Sequence, residues 1–338
     1  MLDIGFALLV IIFTLGIGLC ILAFLQLHYK CFNNCANGIQ NFQSNYRLLI
    51  NQINTADFLV LIISIPYQVK LRYFNSGWVE FFIPCKLLNF SNALAYHLSS
   101  YLITGITFIR LLEVSLGRSN KETKIRNARL VTAIAWFVAI GTCTPTLIVS
   151  EVISSYIFEN DTIQESHQCA NVWDVRRQMD DTMEEYDMEK VYHLSYTITN
   201  FWLPGSLTFV FLITILIAAY QRERNPVQLI RSRSNSSSAN RSRMESQILH
   251  VSIYLAISYL LCWSPYHVAL IFVPQTGMIA NALNYLVLMG TVIHPLCYEL
   301  VGCNCGLPWS QQATPSLQKH RLSTSYTYVS TKIQEDTQ

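Results

Sequence analysis

From Ser246 to Tyr298, fifty-three consecutive residues, the chain contains no Asp, Glu, Lys or Arg. A soluble domain has no surface to offer such a run, whereas a membrane helix needs about 20 apolar residues and satisfies its own backbone. The turn-forming Pro274-Gln275-Thr276-Gly277 divides the run, which predicts two spans, Gln247 to Val273 and Met278 to Val301. Five more apolar stretches of this length precede them: Ile4 to Leu27, Leu48 to Val69, Leu87 to Ile109, Leu130 to Ser150 and Val191 to Tyr220. Composition agrees. Only 13% of the 338 residues are charged, against about 25% in soluble proteins, and mean hydropathy is +0.30.

The expected fold is therefore an all-α membrane protein, a bundle of seven transmembrane helices. The first stretch is too long for a cleaved signal peptide, lacks a basic start and has Lys30 after it rather than before it, so it reads as a true span. The formal charge of +2 with no aromatic-interleaved basic stripe excludes nucleic acid as a partner. The ten cysteines show neither zinc-like pairs nor a disulfide-scaffold pattern, and neither a metal nor another cofactor is expected.

Basic residues remain on the cytoplasmic side. Segments 28–47, 111–129 and 221–245 carry net charges of +2, +3 and +4, while segment 151–190 has eleven acids against Arg176, Arg177 and Lys190, a net of −8. This puts the N-terminus outside and the C-terminus inside; the second loop, with Lys70, Arg72 and Lys86 against Glu80, runs mildly against the rule. Cys85 and Cys169 then share the oxidising side, where they are able to pair. Asn160-Asp161-Thr162, a glycosylation acceptor, is also outside, whereas the matches at Asn235 and Asn240 fall inside and are silent. Residues 1–301 form the membrane domain and 302–338 a cytoplasmic tail expected to be mostly disordered.

Fold alone does not give function. Eight landmarks stand in order along the spans: Asp57, Cys85, Arg110, Trp136, Cys169, Pro204, the string Cys262-Trp263-Ser264-Pro265, and Pro295-Leu296-Cys297-Tyr298. In this order they resemble the rhodopsin-like G-protein-coupled receptors, over all seven spans. The resemblance implies a receptor rather than an enzyme, at the plasma membrane, binding an extracellular ligand and activating a heterotrimeric G protein. Asp57 is the only carboxylate well inside a span, and intramembrane charges are costly and usually functional. By resemblance it sits in a buried polar network with Ser99 and Thr291 as partners; His294 takes the place of the usual Asn before Pro295, where an imidazole pairs with Asp57 and displaces a cation. Pro204 and Pro265 are expected to kink their helices; by the same resemblance Trp263 looks like the aromatic at the pocket floor, and Pro295 and Tyr298 like the inner signature.

The chain also departs from the family. Gly16-Ile17-Gly18 replaces an Asn in the first span, Ile109-Arg110-Leu111 replaces Asp-Arg-Tyr, and Leu212 replaces a Tyr. Arg110 has thus lost the adjacent acid that restrains it, and Glu245, twenty residues before Pro265, is placed to supply a carboxylate instead.

Ligand class follows by elimination against the family. Leu288 stands where opsins hold retinal on a Lys, and Asn92 where amine receptors carry an Asp. Three residues precede the first span in the sequence as given, so no large hormone-binding ectodomain is expected. A short neuropeptide remains, with Gln68, Asn92, Tyr96, Tyr266, His267, Asn284 and Tyr285 as pocket residues beside Trp263, and an acidic fourth loop that attracts a basic or amidated peptide. Cys85-Lys86, Tyr96 and Cys262 to His267 faintly resemble the gonadotropin-releasing-hormone, adipokinetic-hormone and vasopressin branch. On the inner side, Arg231 to Arg243 reads as a disordered basic loop, Cys303 and Cys305 as palmitoylation sites contacting membrane lipid, and Ser323, Thr324, Ser325 and Thr327 as targets of receptor kinases that recruit arrestin.

Three other readings fit a chain of seven spans. A divergent chemosensory receptor shares the fold and no residue excludes it. A transporter would show repeated halves with broken helices, which are absent. A seven-span metal hydrolase needs converging ligands, and His250, His267 and His294 lack a ligand spacing.

Overall fold

The computed structural model describes residues 4–28, 44–73, 82–116, 121–159, 162–173, 184–224, 236–272 and 278–302. The first span is α1 (Ile4–His28). The second comprises α2 (Ser44–Leu59), a π-helical turn (Val60–Ser64) and α3 (Ile65–Tyr73). The third is α4 (Phe82–Leu116) and the fourth α5 (Lys121–Val149). The fifth comprises α6 (Glu184–Thr197), a second π-helical turn (Ile198–Trp202) and α7 (Leu203–Arg224). The sixth is α8 (Ser236–Phe272) and the seventh α9 (Met278–Gly302). Six of these helical rods are long and apolar enough to cross a bilayer, and the seventh carries the shorter apolar stretch Ala282–Tyr298.

Each π turn ends two residues before a proline, Pro66 or Pro204. Proline cannot donate to the carbonyl four residues back, and its ring presses on that carbonyl; a widened turn relieves the clash. The carbonyl that Pro204 leaves free is that of Asn200, and the Ser100 hydroxyl of the third span donates to it at 2.8 Å. Tyr101 donates to the neighbouring Thr199 carbonyl at 2.8 Å and Thr104 to that of Pro204 at 3.1 Å. A helix defect in the fifth span thus becomes its attachment to the third.

The third span is the hub, packed against the second, fourth, fifth and sixth. Leu98, Leu102, Ile103 and Ile106 are fully buried there. Outward-facing apolar side chains do the opposite: Phe137 is 80% and Ile148 73% exposed on the fourth span, as a lipid-facing surface requires.

Two segments differ from expectation. The acidic fourth loop contains an antiparallel hairpin, β1 (Ser150–Glu159) with β2 (Thr162–Asn171). Its Val, Ile, Tyr and Phe residues favour strands, a pattern that the acids around them obscured. On the inner side, residues 236–243 of the supposed disordered loop are helical, because the sixth span continues into water for about three turns beyond its apolar part.

Candidate functional site

The outer layer is roofed by the hairpin. Cys85 at the top of the third span and Cys169 on β2 form a disulfide with 5.5 Å between Cα atoms. Asn89, one turn further in, donates to the Ser150 hydroxyl at 3.0 Å.

Beneath it, aromatic side chains from three spans meet. Trp263 is buried, with Tyr96 edge-on at 5.8 Å and Tyr259 at 5.2 Å. His267 lies 5.9 Å from Trp263 and stacks on Phe201 at 4.6 Å with the rings 4° from parallel, and Tyr266 meets it edge-on at 5.2 Å. Four of the expected pocket residues, Tyr96, Trp263, Tyr266 and His267, are thereby brought together. Phe201 and Tyr259 were missed; both lie in apolar runs where an aromatic reads as ordinary core. Asn200 Oδ1 and His267 Nδ1 are buried with no hydrogen-bond partner among the described residues.

The remaining expected pocket residues are found on the second, third and seventh spans. Asn92 accepts a hydrogen bond from Ser64, tying the third span to the π turn of the second. Gln68 is half-buried on the second span, its Oε1 without a partner among the described residues. Asn284 and Tyr285 are half-buried on the seventh span, with Tyr285 packed against the core.

The middle layer is polar and buried. Asp57 is fully buried, and Ser99 donates to its Oδ1 at 3.2 Å. The His294 Nδ1–H faces both carboxylate oxygens, at 3.2 and 3.1 Å. Thr291, expected as a partner of Asp57, donates instead to the Leu288 carbonyl of its own helix at 2.7 Å; a threonine hydroxyl on a helix readily finds the carbonyl three or four residues back. One turn below Asp57, Asn54 donates to the Cys20 carbonyl at 2.9 Å and accepts from the Tyr298 hydroxyl at 2.9 Å, joining spans one, two and seven. Trp136 ties the fourth span to Gln52 at 3.0 Å. Pro265 and Pro295 lie inside their helices.

At the inner end, Arg110 is 6% exposed and its guanidinium donates to Glu113 Oε2 at 3.1 Å. Tyr46 donates to the same oxygen at 2.8 Å, and Lys124 lies 3.2 Å from Oε1. Glu113 escaped sequence reading because nothing in its spacing marks it apart from an ordinary charge at a helix end. Glu245 lies on the helix of the sixth span, with its side chain outside the described residues. Asn160, Cys303, Cys305 and the tail hydroxyls are outside them altogether.

The model of the seven-transmembrane receptors of the rhodopsin family matches residues 36–298. Prokineticin receptor 2 of Bos taurus is 24% identical over 265 residues, 78% of this chain and 62% of that receptor. The QRFP-like peptide receptor of Branchiostoma floridae is 24% identical over 242 residues, 70% of this chain and 58% of that one. The RYamide receptor of Drosophila melanogaster is 24% identical over 261 residues, 77% and 52% of the two chains. The matched part of the chain thus spans little more than half the length of these relatives.

Proposed function

Since the chain belongs to the rhodopsin family of seven-transmembrane receptors, and is a multi-pass membrane protein rather than an enzyme, we propose that it binds a short extracellular peptide and activates a heterotrimeric G protein from the plasma membrane. The aromatic cluster between the third, fifth and sixth spans carries this reading. Apolar walls with a few convergent polar atoms are what small ligand sites consist of, and here Asn200 Oδ1 and His267 Nδ1 supply the unused polar atoms. A peptide is favoured over other ligands because one relative is named a QRFP-like peptide receptor and because the outer segment 151–190 is strongly acidic.

Tyr96, Trp263, Tyr266 and His267 form the floor and one wall, and Gln68, Asn92, Asn284 and Tyr285 line the approach from the second, third and seventh spans. The finer placement near the gonadotropin-releasing-hormone, adipokinetic-hormone and vasopressin receptors rests on Cys85-Lys86, Tyr96 and Cys262 to His267 alone. Receptor kinases and arrestin act on the tail hydroxyls, and lipid acyl chains on Cys303 and Cys305 hold the tail's start to the membrane. A peptide-library screen in transfected cells, read by calcium and cyclic nucleotide, tests the reading. It succeeds if a peptide elicits a response that His267→Ala or Tyr96→Ala abolishes at equal surface expression, and fails if only non-peptide ligands act.

A further inference from the structure

We infer that Glu113 is the positioning residue that restrains Arg110 in the resting receptor, replacing the acid that position 109 lacks, and that Tyr46 and Lys124 hold its carboxylate in place. The inference rests on the receptor reading above.

Ile109 cannot pair with a guanidinium, yet Arg110 lies buried rather than extended into water. A charge taken out of water needs a hydrogen-bonded counter-charge. Positions i and i+3 share a helix face, and Glu113 meets Arg110 there at 3.1 Å, with side chains 8% and 9% exposed. A carboxylate has about four lone-pair sites on its two oxygens. Oε2 accepts from Arg110 and Tyr46, and Oε1 pairs with the Lys124 ammonium at 3.2 Å. Tyr46 is 1% exposed on the second span, and the Lys124 side chain is 10% exposed on the fourth. Two spans therefore fix the orientation of one acid, and the acid fixes the arginine. Of the described side chains shown meeting Glu113, Arg110 and Lys124 are both cations, so neutralising Glu113 removes the carboxylate that lies between them. Arg110 is then released from the carboxylate that the second and fourth spans hold, and becomes available to the G protein of the proposed function. The restraint joins spans two, three and four, none of which contains the Pro265 kink.

Two measurements without ligand test this. One is exchange of a non-hydrolysable GTP analogue on membranes that hold the receptor and a panel of G proteins. The other is the emission of an environment-sensitive thiol label at His250→Cys, an exposed position near the inner end of the sixth span, read against the same receptor without that cysteine. Glu113→Gln is expected to raise basal exchange roughly three- to tenfold and to shift the label's emission. Adding Ile109→Asp is expected to return both to the resting values, which loss of a merely structural contact would not allow. A label shift without exchange supports the restraint and overturns the G-protein reading. An unshifted label in Glu113→Gln, or a shift that Ile109→Asp leaves in place, overturns the restraint. If Glu113→Gln fails to reach the membrane, Tyr46→Phe is read in the same way: a smaller shift in the same direction supports the inference, and an unshifted label overturns it.

Discussion

His294 aims one ring nitrogen at both carboxylate oxygens of Asp57, so the seventh span closes the second span's acid with an imidazole. Among the described residues, Ser99 is the other side chain that donates to this carboxylate. A sodium ion takes its ligands from oxygen, and the imidazole both occupies the space and presents an N–H to it. The receptor is therefore expected to melt at the same temperature in sodium and in a larger monovalent cation at equal ionic strength. His294→Asn is expected to gain a sodium-specific rise, at about 2–4 °C per kcal/mol of binding. A sodium-specific rise in the unmodified receptor would count against the imidazole as the occupant.

Gly105 of the third span lies against the fourth so closely that a Cβ there would meet Val131 Cγ1 at 2.5 Å. A branched side chain in a packed helix interface has little room to give. Gly105→Ala is expected to destabilise the receptor by about 1–3 kcal/mol through overpacking. Adding Val131→Ala should recover most of the loss, and equal melting temperatures for the single variant and the parent would refute the close fit.

The Cys85–Cys169 disulfide pins β2 to the top of the third span, joining positions 84 apart in the sequence. Cys169→Ala is expected to cost roughly 2–5 kcal/mol and to reduce the fraction of receptor at the cell surface. Peptide mass mapping without reduction should recover the two cysteines linked; finding both thiols free in surface receptor would reject the pairing.

Arg110→Ala is expected to abolish ligand-driven exchange while leaving ligand affinity within about threefold, since Arg110 lies beyond the polar layer from the aromatic cluster. Glu245→Gln should raise basal exchange less than Glu113→Gln does, because Arg110 already holds a carboxylate on its own helix. A larger rise from Glu245→Gln would move the main restraint to the sixth span.

The number of spans was legible because hydrocarbon leaves a chain few options. Where the spans end was less so. Water accepts a helix as readily as a loop, and α4, the third span, runs from Phe82 to Leu116 although its apolar stretch suggests Leu87 to Ile109. Asp57 with Ser99, and Tyr96 with Trp263, could be anticipated from the family pattern, since an intramembrane acid and a proline-flanked Trp stand out from their surroundings. Glu113 could not, because its meaning depends on Tyr46 and Lys124, 67 residues before it and 11 after it, arriving at the same carboxylate. Sequence spacing records neighbours along one helix and is silent about neighbours across three.

Asn54 has a consequence for how the chain is made. Its amide donates to the Cys20 carbonyl, 34 residues earlier, and accepts from the Tyr298 hydroxyl, 244 residues later. Helices leave the ribosome in order, so the first of these bonds can form as soon as two spans have inserted. The other must wait for nearly the whole remainder of the chain. Throughout that interval the second helix carries a carbonyl oxygen in hydrocarbon without its final donor, a state that a membrane penalises. Synthesis halted before Tyr298 leaves that oxygen without the donor the finished bundle gives it.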